Sequence, residues 1–186
     1  RSDAETRLDF ISTDRGKDVA DTIKWILESV PADKDVFLLG RYSFDVNVLK
    51  GSDMVVHDIK DRSYVTYGAR KMAFMTVHQS KGLEADYVIL LNCNGGTLGF
   101  PSNIADSPIL EYVLSEPDKY EYSEERRIFY VGITRAKKHT WVLYDMNNPS
   151  PFVREFVPTL EQQEDVEQIP ENERCPKCRC GRCIEI

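Results

Sequence analysis

No apolar run in this 186-residue chain approaches the ~18–20 residues that a helix needs to cross a bilayer. The opening stretch, RSDAETRLDF, lacks the apolar core of a secretion signal. It also lacks an initiator Met, and we read the chain as a piece of a longer protein. Cysteine is scarce outside one place. Four of the five fall in the last twelve residues, while Cys93 stands alone beside an apolar run, as a small buried hydrophobe would. This pattern excludes a disulfide-built secreted scaffold and makes the cytoplasm the default. Positive charge is not in excess either. The net charge is −7, which makes a poor stand-alone nucleic-acid binder, because affinity there comes mostly from neutralising phosphates. A local basic stripe stays open. The phosphate-cradling pattern G-x-x-x-x-G-K-[ST] occurs nowhere, and there is no internal repeat.

What is present suits one globular domain with a tail, or at most two small domains. RLDFIST (7–13) reads as a strand. Residues 17–30 place Val19, Ile23, Ile26, Leu27 and Val30 at helical spacing, and Pro31 closes that helix. DVFLLGR (35–41) reads as a buried strand, 44–50 as a short helix and VVHDI (55–59) as a strand, with a polar hairpin-like stretch up to Lys71. KMAFMTV (71–77) and YVILL (87–91) are strands, and 94–103 is a loop punctuated by Gly and Pro. Helices are expected over 108–116, over 121–138 with Ser123 as N-cap, and over 151–160, with a strand at 139–146. Strands alternating with helices indicate an α/β domain with a mostly parallel sheet, spanning residues 1–160. An acidic linker (161–174) and a Cys-rich tail (175–186) follow. Trp25 and Trp141 are expected in the core, and His57 and His139 at the surface or a sheet edge.

Two segments carry more chemistry than their elements need. Between FMTV and YVILL lies HQSKGLEAD (78–86), which a tight turn does not require. Gly82 lets a backbone approach a ligand closely, and Lys81 offers a point charge for phosphate. Glu84 offers an acceptor for hydroxyls such as those of a ribose, and Thr76 and His78 donors for a phosphate backbone. In an open α/β sheet such a loop is expected at the carboxyl ends of the strands. An ordinary polar loop is the alternative. The second segment is EERRIFYVGITRA (124–136), with an apolar stripe through Ile128, Val131 and Ala136. Arg135 near its end reads either as a cation at a helix C-terminus or as a planar charge presented to a phosphoryl group.

Together these segments resemble known motifs. MTVHQSKGLEADYV (75–88) is similar to motif V of superfamily 1 helicases of the UvrD/Rep type, and EERRIFYVGITRA to their motif VI. LLGRYSFDVNVL (38–49) resembles the motif that opens their second motor domain, and GGTLGFPS (95–102) the Phe-Pro loop after motif V. The resemblance spans roughly residues 7–160. Only about thirty residues separate the Arg41 region from motif V, where UvrD carries a large insertion, and that compactness resembles the DNA helicase IV branch.

The resemblance implies a RecA-like, mostly parallel sheet with helices on both faces, lacking the P-loop itself. It implies the second motor domain of an ATP-dependent DNA helicase, inactive alone. ATP with Mg2+ would be bound mainly by an N-terminal RecA-like domain outside this chain, and the partners would be that domain and single-stranded DNA, with no membrane. By the same resemblance Arg135 matches the arginine finger. Glu84 matches the carboxylate near the nucleotide sugar, Lys81 and Gly82 the turn beside the phosphates, and Arg41 an arginine near the interdomain cleft. Thr76 and His78 match contacts to single-stranded DNA. Tyr130 matches an aromatic of motif VI, with a packing role equally open. A helicase-like binding module without catalysis and a helicase–nuclease subunit are the rival readings.

The tail RCPKCRCGRC (174–183) holds Cys175, Cys178, Cys180 and Cys183. Zinc ribbons separate their two C-x-x-C knuckles by ~15–20 residues, and here they nearly abut. Four thiolates can still take one Zn2+ in a tetrahedron. The alternatives are a first knuckle without its partner and a reactive tail.

Overall fold

A computed structural model describes residues 6–14, 19–59, 62–102 and 122–157. The expected helix at 108–116, the acidic linker and the four tail cysteines, Cys175, Cys178, Cys180 and Cys183, lie outside the described residues.

Seven strands form one sheet: β1 (Arg7–Thr13), β2 (Val36–Gly40), β3 (Val55–Ile59), β4 (Arg62–Tyr67), β5 (Arg70–Thr76), β6 (Ala85–Leu90) and β7 (Ala136–Asp145). Their order is β1-β7-β6-β2-β5-β4-β3. The first five in that order run parallel, and β4 and β3 continue the sheet antiparallel. Gly68, at φ +56°, helps close the tight β4–β5 turn.

Side-chain alternation sorts the strands' residues to two faces. Leu38, Ile89, Trp141 and Leu143 pack on one side against helix α1 (Val19–Ser29), through Val19, Ile23, Ile26 and Leu27. The 3-10 segment Ser43–Leu49 adds Val46 and Leu49 to this layer. Leu39, Val88, Leu90, Val142 and Tyr144 point to the other side. There they meet Ile128 and Phe129 of α2 (Ser123–Ile133) and Phe152 and Val153 of α3 (Pro151–Phe156). This is the expected mostly parallel sheet with helices on both faces, consistent with a RecA-like domain.

Several elements differ from expectation. Helix α2 ends at Ile133, not Lys138, and Ala136–Lys138 open β7. The Lys137–Lys138 pair reads as helix surface, but at the start of a strand two consecutive lysines can both stay exposed beyond the helices. Tyr122 in the left-handed region is the N-cap, and Ser123 is the first helical residue. Helix α3 stops at Phe156. Trp25 is 47% exposed and not in the core, because the helical spacing that buries Ile23, Ile26 and Leu27 turns residue 25 outward. Trp141 is buried as expected, and so is Cys93, whose thiol pKa burial raises well above its usual value. His139 lies within the sheet, with Nε2 2.7 Å from Asp9 Oδ2 and its ring stacked on Trp141. His57 stacks on Tyr64 in the outer hairpin, near the sheet edge where it was expected.

Candidate functional site

The segment 77–84 joins the carboxyl end of β5 to the amino end of β6, and β2 lies between those strands. Thr76 stands level with Gly40, whereas Ala85 stands beside Ala136 at the opposite edge. The register puts these ends six residue steps apart, about 20 Å along the strands. The segment therefore begins at the carboxyl edge, as expected, and finishes at the amino edge, which was not. It crosses the face that α2 covers.

Local hydrogen bonding fixes the crossing. Gln79 Oε1 accepts from the Thr76 amide (2.9 Å) and the Thr76 hydroxyl (3.1 Å), and Thr76 Oγ1 accepts from the Gln79 amide. Ser80 is buried, with its hydroxyl donating to Val77 O at 2.7 Å. Gly82 sits at φ +83°, where side chains other than glycine are strained, and the turn closes with Leu83 N donating to Ser80 O. Val77 is fully buried, and His78, Lys81, Gly82 and Glu84 are exposed.

Helix α2 runs the same way across the face. Its end passes through Thr134 and Arg135 into the amino end of β7. The two crossings touch at Gly132, where a Cβ would come within 3.3 Å of both Val77 and Leu90. Glycine is the residue that allows this approach.

At the amino edge the segment and the helix end are tied together. Ala85 N donates to Arg135 O (3.1 Å), and Arg135 Nη1 reaches Leu83 O at 3.4 Å. Arg135 Nε donates to Val131 O and Nη2 to Thr134 Oγ1. Among the described residues no carboxylate pairs with Arg135. A partly buried permanent cation whose hydrogen-bond partners among the described residues are all neutral oxygens is suited to meet an anion. Glu84 lies one residue before Ala85 and, among the described residues, makes only a loose 3.9 Å contact with Lys137. Tyr130 is 64% exposed among the described residues.

The structure thus brings Glu84 and Arg135 to one edge, with Lys81 and Gly82 in the last turn of the segment leading there. Thr76 and His78 belong to the other. It does not bring Arg41 to Glu84 and Arg135. Arg41 follows Gly40 at the carboxyl edge and forks onto Glu125, with Nη2 2.6 Å from Oε1 and Nε 2.9 Å from Oε2. The two side chains are 18% and 14% exposed, and the carboxylate raises the Arg41 pKa above its already high value. Glu125 Oε2 also accepts from Ser102 N (3.0 Å), and Tyr42 OH donates to Ser102 Oγ (2.6 Å). Nearby, Asp45 is buried and accepts from Tyr42 N and Asn92 Nδ2, and burial raises its pKa. Sequence reading missed Glu125 and Ser102. The one signal for Glu125 was its place in an acidic first helical turn, which a helix dipole already accounts for, and Ser102 stood only as the end of the Phe-Pro loop.

The family model that matches is the UvrD-like helicase C-terminal domain, over residues 46–147. Among curated proteins the chain is similar to DNA helicase IV of Escherichia coli (strain K12), 45% identical over 80 residues, or 43% of this chain and 12% of that protein. It is 28% identical to ATP-dependent DNA helicase Rep of the same organism over 132 residues, covering 61% of this chain and 18% of Rep. It is 32% identical to ATP-dependent DNA helicase UvrD2 of Mycobacterium tuberculosis (strain ATCC 25618 / H37Rv) over 117 residues, covering 58% and 15%. The chain thus spans less than a fifth of the length of these relatives. Among solved structures it is similar to the C-terminal domain of a possible DNA helicase from Lactobacillus plantarum WCFS1. That match has a TM-score of 0.47 and 16% identity, covering 80% of this chain and 78% of that one.

Proposed function

Since the chain belongs to the UvrD-like helicase C-terminal domain family, we propose that it is the second motor domain of an ATP-dependent DNA helicase of the DNA helicase IV branch. In this reading it contributes one wall of an ATP site and part of a single-strand path. A P-loop occurs nowhere in the 186 residues, so the phosphate cradle and the main Mg2+ ligands belong to another RecA-like domain.

One observation carries the reading. A single segment starts at Thr76 and His78 on the carboxyl edge and ends at Glu84 on the amino edge, where its neighbour Ala85 holds Arg135 by a main-chain hydrogen bond. One element thus touches both proposed ligands. Arg135 meets the terminal phosphate, where a planar cation suits charge spread over the phosphoryl oxygens. Glu84 accepts from the ribose hydroxyls, and Lys81 and Gly82 line the phosphate side. Bound nucleotide supplies the free energy for closing the two domains. This chain's residues orient the phosphate and transmit the closure through 77–84 to the strand held by Thr76 and His78. Arg41, committed to Glu125, lies outside the nucleotide group.

The test is ATP turnover by the full-length protein with and without single-stranded DNA. Turnover stimulated by DNA is expected. Absence of turnover in both conditions would leave a non-catalytic binding module as the better reading.

A further inference from the structure

The Arg41–Glu125 pair has more order than a surface ion pair needs. Both Glu125 oxygens accept from the guanidinium, and Oε2 also accepts from Ser102 N. Tyr42 closes the ring through Ser102, and its own ring lies 5.0 Å from the Arg41 guanidinium. A forked pair withdrawn from solvent fixes direction as well as distance. Glu125 therefore pins the first turn of α2 to the end of β2. That strand end is also where the crossing segment starts, since Val77 N donates to Gly40 O at 2.9 Å.

An 11-residue helix is about 16 Å long and stiff along its axis. Its far end carries Thr134 and Arg135, and Gly132 seats it on Val77. A shift at the pinned end therefore reaches the guanidinium at the other.

From this geometry we infer that Glu125, gripped by Arg41 and Ser102, is a positioning residue. It sets where Arg135 stands at the amino edge and carries the state of the Thr76–His78 end to it. The inference rests on the motor reading for its catalytic consequence, though its structural part does not.

The test uses Glu125→Gln, and Arg41→Lys as a second variant that keeps charge but loses the fork. Amide hydrogen exchange and ATP turnover are measured on the full-length protein. Exchange is expected to accelerate at Thr134, Arg135 and Ala85, a helix length away, as well as in the first turn. DNA-stimulated kcat is expected to fall between about 10- and 100-fold, the scale of a misplaced catalytic group. KM for ATP should stay within about twofold, because ground-state binding is not what the pair supplies. The swap Arg41→Glu with Glu125→Arg should recover part of kcat. Faster exchange confined to the first turn and Ser102 would overturn the inference, as would a raised KM with intact kcat. If the wild type shows no DNA-stimulated turnover, the motor reading fails, and the exchange at residues 134, 135 and 85 still decides whether the pair positions the helix end.

Discussion

Phe100 is the most telling single residue for what holds the helical face in place. It is fully buried in the loop after β6. Its ring meets Phe129 of α2 edge-on at 5.3 Å and Phe152 of α3 at 6.3 Å, and those two rings lie 5.4 Å apart. Its carbonyl accepts from the buried Ser150 hydroxyl, and its amide donates to Asn94 O at 2.8 Å. Truncating a buried Phe to Ala costs about 3–5 kcal/mol. Two helices and the sheet wall this site in, so collapse into the cavity is limited. Lost aromatic pairs add about 0.5–1.5 kcal/mol each to area alone. We therefore expect Phe100→Ala to cost about 4 kcal/mol, a large share of the roughly 5–15 kcal/mol of a typical domain. With an m-value of about 2 kcal/mol/M in urea, the midpoint falls by about 2 M. Urea unfolding followed by far-UV circular dichroism and tryptophan fluorescence measures this. A loss below about 1.5 kcal/mol at unchanged m, within the range of a volume-conserving swap, would refute the view that this triad anchors α2 and α3.

Three other outcomes follow from the same geometry. Gly82→Ala meets no neighbouring atom, so its cost is backbone strain at φ +83°, about 1–2 kcal/mol, read as a lower thermal midpoint. Asp45 is protonated more readily folded than unfolded, so its contribution to stability is fullest below the ordinary aspartate pKa and is lost as pH rises through its raised value. Asp45→Asn removes that slope, and its stability relative to wild type should improve as pH rises from about 4; a constant difference would show that Asp45 does not titrate in this way. His78→Ala in the full-length protein should weaken stimulation by single-stranded DNA more than basal ATP turnover, and unchanged stimulation would remove His78 from the strand path.

Much of the fold was legible because local patterns were strong. Val19, Ile23, Ile26 and Leu27 mark one face of α1, Val30 follows just past its end, and all five are buried. The same spacing should have placed Trp25 outside, since at 3.6 residues per turn it falls on the far side of the helix from those positions. The start of β7 was obscured because Lys137 and Lys138 suit a solvated helix as well as a strand end. The insert 78–86 was conspicuous by its chemistry, but its course across the sheet was not legible. That course depends on β2 inserting between β5 and β6, a fact of topology. The Arg41–Glu125 pair joins residues 84 positions apart, and no local rule predicts it.

The central claim is that Arg135 acts on the phosphate during turnover. Its most direct test compares wild type with Arg135→Ala in the full-length protein, measuring ATP affinity and DNA-stimulated kcat together. A fall in kcat of about 10³–10⁵-fold is expected, the range for arginine fingers, with ATP affinity changed far less. An equal fall in both would make Arg135 a binding group, and an unchanged kcat would contradict the account.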